Sequence, residues 1–463
     1  MSEADFPALA SVPYRVTSPS RIPAQRYYDE EFFRLEAERF WPHVWQMACR
    51  IEEIPEVGDW VEYRNLDKSV IVVRTASGIR AFHNACRHRG VQLASGHGNC
   101  SVNGFVCPFH GWRWNMDGEN TFVYGKSRFS EADLDVADIA LARCRVELWG
   151  GCAFINHDND APPLLDCFGD AAARLDARNI AELKVEWWRS SILPVNWKLA
   201  MEAFMEGYHV AATHPQLQAI STPESNMYGP TGPDRDMPTS SGTARAYVET
   251  TIRHLAKLSE GMAGMVHHTE VEIAESLRDM DLPEEIGPAA MAFYTRLRSE
   301  ITRQGRERGL PMPDLVKAAA DHPFKAVEFM VPHYFLLPMF AAMSAYRIRS
   351  LTAETCLFEI WSLAMLPDDP ERDPPVAPAP SSHDDPSFPE IPRQDYSNLP
   401  LQQLGLHAGG FEFMRIQPET EGMISNFQRL VDGYLAGLPR DTLARGSAVV
   451  CSGFDAPILD IGF

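Results

Sequence analysis

Cys86-Arg87-His88-Arg89-Gly90 and Cys107-Pro108-Phe109-His110-Gly111-Trp112 are the two stretches that decide how this chain is read. Each carries one thiol and one imidazole on a short loop. Two cysteines and two histidines in this mixed order are the donor set of a [2Fe–2S] centre. The cysteines hold one iron and the histidines the other, and the imidazoles raise the potential to roughly −150 to +300 mV. Such a centre relays single electrons. The same donors are also a structural zinc set, but zinc fingers run Cys-Cys then His-His, and here each pair is mixed. Gly90, Gly104 and Gly111 allow backbone to approach sulfur closely, and Pro108 presets a tight turn. His83, His97 and Cys100 fall outside the pattern and read as ordinary loop or core residues.

Outward from these loops, residues 46–156 alternate in short β-rich runs: Asp59–Tyr63, Ser69–Val73, Ile79–Phe82 and Cys152–Asn156, separated by turns such as Met116-Asp117-Gly118. This is a small antiparallel module with the Cys/His loops at its tip. Before it, residues 28–45 space apolar side chains as a helix does. After it come helical residues 164–183, a strand over Val185–Ile192, a helix over Asn196–His209, a helix-rich acidic stretch from 245 to 320, and strands at Tyr334–Leu337, Ser344–Ser350 and Cys356–Met365. Residues 367–400 are rich in Pro, Asp and Ser and read as a surface loop with no part in the active site. A last helix is expected over 421–436.

The chain has 463 residues, room for two or three domains, and a net charge of −21. That charge argues against nucleic acid or an anionic membrane as partner. No run approaches the ~20 apolar residues of a membrane span. The opening Met-Ser-Glu-Ala-Asp-Phe has no signal-peptide character. Beyond Cys86 and Cys107, seven scattered cysteines read as free thiols. The expectation is a cytoplasmic protein.

The second chemical signal is Asn196-Trp197-Lys198-Leu199-Ala200-Met201-Glu202-Ala203-Phe204-Met205-Glu206-Gly207-Tyr208-His209, followed by Thr213-His214-Pro215. Two histidines with a nearby carboxylate suggest a 2-His-1-carboxylate site, which leaves positions on Fe(II) open for O2 and substrate. On a helix Glu206 and His209 share a face. His209 and His214 would be roughly 140° out of phase at about 100° per residue, so the helix must bulge or end between them, and Pro215 favours that.

The two Cys/His loops closely resemble the Rieske domain, and the 196–214 segment resembles the catalytic motif of the Rieske non-haem iron oxygenases, the ring-hydroxylating α subunits. The resemblance implies an α+β architecture: an N-terminal helical segment (1–45) packing on the catalytic domain, a Rieske β-domain (46–156), and a helix-grip catalytic domain (157–463) of antiparallel sheet plus helices. It implies that Cys86 and Cys107 bind the inner iron of the cluster and His88 and His110 the outer one. It implies that His209 and His214 bind a mononuclear iron, that Glu206 is the acid bridging to a neighbouring subunit's cluster, and that Asn196 and Tyr208 belong to the catalytic set. Ala203 departs from the Asn of many dihydroxylating members. The third iron ligand, an Asp at the start of a late helix in the family, has no Asp at the matching place; Glu421 is the first choice, Glu419 the second and Asp432 the third.

The implied activity is hydroxylation of an aromatic or other hydrophobic substrate, chiefly ring (di)hydroxylation, with monooxygenation or O- or N-demethylation as the alternative. The implied partners are O2, a ferredoxin or flavin reductase drawing on NAD(P)H, and further copies of the chain in a homotrimer, with or without β subunits. Pocket candidates are Met201, Phe204, Met205, Leu217, Phe335, Leu337, Phe340 and Met343. Arg347 and Arg349 read either as partners for a substrate carboxylate or as surface strand residues, and His267-His268 with Glu270 and Glu272 as surface. An electron carrier without substrate chemistry is the competing class; it has no use for a second iron site.

Overall fold

The computed structural model describes residues 6–214, 242–262, 264–454 and 456–463. The chain divides into two compact units. One comprises Pro42–Ala161 with Glu371–Val376, and the other Met1–Trp41, Pro162–Pro370 and Ala377–Phe463.

The smaller unit is all short antiparallel sheet. A four-stranded sheet runs Gly78–His83, Lys68–Thr75, Asp59–Asn65, His97–Asn99. Two three-stranded sheets flank it, Arg145–Trp149 with Cys152–Asn156 and Gln46–Arg50, and Phe105–Val106 with Arg113–Trp114 and Asn120–Phe122. The run Val70-Ile71-Val72-Val73 explains the layering. Side chains alternate across a strand, so Ile71 and Val73 enter one core with Cys86, Cys107, Trp112 and Trp114. Val70 and Val72 enter the opposite core with Cys49, Cys144 and Ile155.

The larger unit is built on a six-stranded sheet in the order Glu328–Met330, Tyr334–Pro338, Met343–Thr352, Thr355–Ala364, Lys184–Leu193, Ser381–Ser382. All pairs are antiparallel except the last. Helices Ala244–Gly261, His268–Ser276, Ile286–Glu307, Glu390–Leu406, Gly422–Leu435 and Arg440–Cys451 complete it. The α+β expectation is borne out. The N-terminal segment is tied in by buried polar contacts: Lys198 Nζ to Glu36 at 2.7 Å, Arg26 Nε to Gln428 Oε1 at 2.7 Å, and Tyr27 Oη to Glu202 at 2.9 Å.

Three elements differ from the sequence reading. Residues 367–400 are not a loop throughout: Glu390–Leu406 is a helix, with Pro400 inside it. Its buried residues Ile391, Asp395, Tyr396, Leu399, Gln403 and Leu406 form a helical stripe that the Pro/Asp/Ser composition upstream masks. The helix begun at Trp197 stops at Glu202 instead of reaching His209. And 421–436 is not the last helix, since Arg440–Cys451 follows it.

Candidate metal centres

In the smaller unit the two Cys/His loops are two copies of one turn. The amide of Cys86 donates to Val91 O (2.8 Å) and that of Gly90 to Cys86 O (2.9 Å). The amide of Cys107 donates to Trp112 O (2.8 Å) and that of Gly111 to Cys107 O (3.0 Å). Gly90 and Gly111 close their turns with φ of 76° and 71°, the left-handed region that glycine enters without strain. Cys86 and Cys107 are buried and hydrogen-bond each other, and the amides of His88 and Arg89 donate toward the Cys86 sulfur. Burial pushes the Cys86 thiol up all the same. The His88 and His110 rings lie 4.8 Å apart at 68°, and His88 stacks on Trp112 at 5.1 Å. His88 Nδ1 is buried with no hydrogen-bond partner. An orphaned imidazole nitrogen beside two paired thiols is what a cluster bound through Cys86, Cys107, His88 and His110 would satisfy.

In the larger unit the second site forms where the helix Trp197–Glu202 breaks. After Glu202 the amides of Phe204 and Met205 tighten onto Met201 O and Glu202 O, both at 3.0 Å, and the α ladder ends. Glu206 then acts as a cap: its Oε2 accepts from the His209 amide at 3.0 Å, ahead of the short helix Val210–Thr213. This break supplies the change of direction that His209 and His214 need. Their rings stand 5.3 Å apart at 77°. Pro215 and the pocket candidate Leu217 lie outside the described residues.

The carboxylate that meets the two histidines is Asp395, on Glu390–Leu406, and not Glu421. Asp395 Oδ1 is 2.9 Å from His214 Nε2 and 3.7 Å from His209 Nε2. The three residues form a group with metal-ligand spacing. Both outer ring nitrogens are engaged: His214 Nδ1 with Gln394 Oε1 at 2.6 Å, and His209 Nδ1 with Glu206 Oε1 at 2.5 Å. An amide or carboxylate oxygen can only accept, so each Nδ1 carries a hydrogen, and in the neutral imidazoles that a metal requires each Nε2 then presents a lone pair toward Asp395. For neutral rings acceptor faces acceptor at 2.9 Å, which a shared cation, a proton or a metal ion, relieves. Burial lowers the His209 pKa, but the hydrogen bond and charge of Glu206 outweigh it and leave it raised.

The other carboxylate choices do not join this group of three. Glu421 accepts from the Gln417 amide at 2.7 Å. It lines, with Glu206, His209 and Asp395, one cavity of about 350 Å³. Burial, with the Glu206 charge added, raises its pKa. Glu419 is exposed, and Asp432 is buried against Arg26 at 2.5 Å. Asn196 caps the helix Trp197–Glu202: its Oδ1 accepts from the Lys198 amide at 2.9 Å and its Nδ2 donates to Ala353 O at 2.6 Å. Tyr208 is 56% exposed.

The described apolar candidates do not line that cavity. Phe204 packs on Phe335, Tyr346 and Phe358 at 4.6, 5.2 and 6.0 Å, and Met201, Met205, Leu337, Phe340 and Met343 are likewise buried. Arg347 and Arg349 are neither substrate partners nor surface residues, because both are held by buried Glu359 at 2.7 and 3.0 Å across the register Arg347–Glu359. His267 caps the helix His268–Ser276, and Glu270 is buried, accepting from the Ala341 amide at 2.9 Å. The sequence signal missed was Gln394-Asp395: an adjacent amide and acid on a helix whose buried stripe continues through Leu399 and Gln403.

Comparison with known proteins agrees with this construction. Residues 44–125 match the Rieske [2Fe-2S] domain, and residues 176–437 match the catalytic domain of the ring-hydroxylating α subunit. The α subunit of 2-aminobenzenesulfonate 2,3-dioxygenase from Alcaligenes sp is 32% identical over 42% of this chain and 50% of its own length. The oxygenase subunit of carnitine monooxygenase from Escherichia coli K12 is 31% identical over 42% and 52%. The chain thus spans about half the length of the curated relatives it matches. Naphthalene 1,2-dioxygenase from Rhodococcus sp. shares the fold at a TM-score of 0.58 and 20% identity, covering 95% of this chain and all of that one. Carrying both modules and a catalytic-domain match over more than half its residues, the chain belongs to the Rieske-type ring-hydroxylating oxygenase α-subunit family.

Proposed function

We propose that this chain is the terminal oxygenase of a Rieske system, using O2 and electrons from a ferredoxin or flavin reductase, ultimately from NAD(P)H, to hydroxylate an aromatic or other hydrophobic substrate. The observation that carries the reading is the convergence of His209 Nε2, His214 Nε2 and Asp395 on one point, with each imidazole fixed from behind. Ferrous iron bound by these three residues would supply one-electron and Lewis-acid chemistry toward dioxygen. Glu206 and Gln394 set the tautomers that keep both Nε2 atoms available. The two-loop cluster site takes electrons in; Arg87, Arg89, Pro108 and Phe109 around it are exposed and offer a docking rim.

Glu206 and Tyr208 are proposed to face a neighbouring copy. Glu206 holds His209 from one side, and exposed Tyr208 stands on the same turn. The reading is a homotrimer in which Glu206 links His209 to the neighbour's cluster, with or without β subunits. All nine cysteines are free and buried, which supports a reducing cytoplasmic setting. Among the described residues no helix is long and apolar enough to cross a membrane.

Two reaction types remain in play because relatives include both dioxygenases and the carnitine and glycine betaine monooxygenases. Turnover with a reductase over aromatic compounds and quaternary amines under 18O2 tests the proposal. Two labelled oxygens in the product indicate ring dihydroxylation and one indicates monooxygenation. No labelled product, with both metal sites loaded, would reject the oxygenase reading for these classes.

A further inference from the structure

A second group of metal donors lies in the smaller unit, built from residues other than the four of the cluster loops. His83 ends the strand Gly78–His83, Cys144 immediately precedes Arg145–Trp149, and His157 immediately follows Cys152–Asn156. Arg145 pairs with Asn156, so Cys144 and His157 flank the same end of that ladder. The amide of His83 donates to Ala142 O and that of Cys144 to Ala81 O, both at 2.9 Å, which brings the third strand end to the same place. One donor atom from each of the three side chains lies within 4.8 Å of the others. The imidazole centroids of His83 and His157 are 5.4 Å apart, against 5.3 Å for the His209–His214 pair. Cys144 belongs to the core opposite the one that holds Cys86 and Cys107.

We propose that His83, Cys144 and His157 form a third metal site that takes one zinc ion, with water in the fourth tetrahedral position. Zinc accepts mixed sulfur and nitrogen donors at about 2.3 Å and 2.0–2.1 Å. A thiolate with two imidazoles suits zinc better than Fe(II), which stands lower in the affinity order for divalent ions. Both imidazoles are neutral donors at neutral pH. Burial lowers the pKa of each, that of His157 to about 4, with Lys68 adding to the effect. Burial pushes the Cys144 thiol up to about 12, and the thiol now donates to Asn156 O at 3.3 Å. Binding therefore exchanges a proton for the metal: the S–H bond breaks, the Zn–S bond forms, and the proton leaves to solvent with no change of oxidation state. The bound ion would tie three strand ends of the cluster-bearing unit together.

The test is metal content and affinity of the purified holoenzyme. It is incubated with excess zinc sulfate, desalted, titrated with a chromophoric chelator and analysed for zinc, iron and labile sulfide. The expected result is one tightly held zinc per chain, kept in a His209→Ala/His214→Ala double variant. In Cys144→Ser and His157→Gln, zinc affinity should fall at least tenfold while cluster iron and sulfide stay unchanged. The double variant separates this zinc from any that enters the mononuclear site. Wild-type protein that holds no zinc outside the His209–His214 site would overturn the proposal, as would unchanged zinc affinity in either single variant.

Discussion

The cluster loops and the mononuclear site are both made of histidines with a few helpers, yet they are assembled in opposite ways. Each cluster loop is a closed turn held by its own backbone bonds, Cys amide to the residue five on and Gly amide back to the Cys carbonyl. Its geometry is local. The mononuclear site is tertiary: His209 and His214 come from a broken helix, while Asp395 and Gln394 come from a helix some 180 residues later. A local site is set by a handful of residues; a tertiary one depends on every contact that seats the second helix. The two regions should therefore fail differently.

The largest expected effect is in the local site. Cys86→Ala should abolish the cluster outright, with loss of both labile sulfides and of the reducible EPR signal, and turnover with it. Mononuclear iron should remain, since none of its holders sits in that unit. Loss of both metals together would break the separation drawn above.

Next comes the support behind His214. Gln394→Ala removes the acceptor that fixes the His214 tautomer, and iron affinity should fall roughly 10–100-fold. Chelator competition for the mononuclear iron measures it, with the cluster EPR signal as an internal control that should not move.

A smaller effect tests how the N-terminal segment bears on the tertiary site. Burial raises the Glu202 pKa to about 7, against the lowering pull of hydrogen bonds from Gln428 and Tyr27. A carboxyl raised in the folded state is most comfortable protonated. Its stability contribution is full below the ordinary carboxylate value of about 4.5 and is lost as pH climbs through the folded value. Glu202→Gln, which has no proton to lose, should therefore gain on the wild type between about pH 4.5 and 7 and level off above. The total gain should be of order 3 kcal/mol or less, at roughly 1.4 kcal/mol per pKa unit. Denaturant melts at several pH values check this; a difference that does not change with pH contradicts it. The smallest effect is Glu419→Ala, an exposed carboxylate, which should alter neither iron content nor turnover.

This contrast also explains what could be read from the chain. Cys86, His88, Cys107 and His110 were legible because their spacing encodes one turn twice. His209 and His214 were legible too, including the need for a break between them, because a regular helix cannot aim both at one metal. Asp395 was not. Its partners are remote in sequence, and the Pro-rich stretch before it makes the whole of 367–400 look like a loop. Glu421 was the first choice because the resemblance puts an acid at the start of a late helix, and it does line the same cavity as Asp395. Asn196, named with the catalytic set, spends its amide on capping the helix that delivers Glu202 and the turn beyond.

The claim on which the tertiary site rests is the identity of its carboxylate, and counting metals tests it most directly. Iron and labile sulfide are measured in wild type, Asp395→Ala and Glu421→Ala prepared side by side. The wild type should hold three irons and two sulfides per chain, Asp395→Ala two irons and two sulfides, and Glu421→Ala the full three irons. An Asp395→Ala protein that keeps its third iron, beside a Glu421→Ala protein that loses it, would contradict the account.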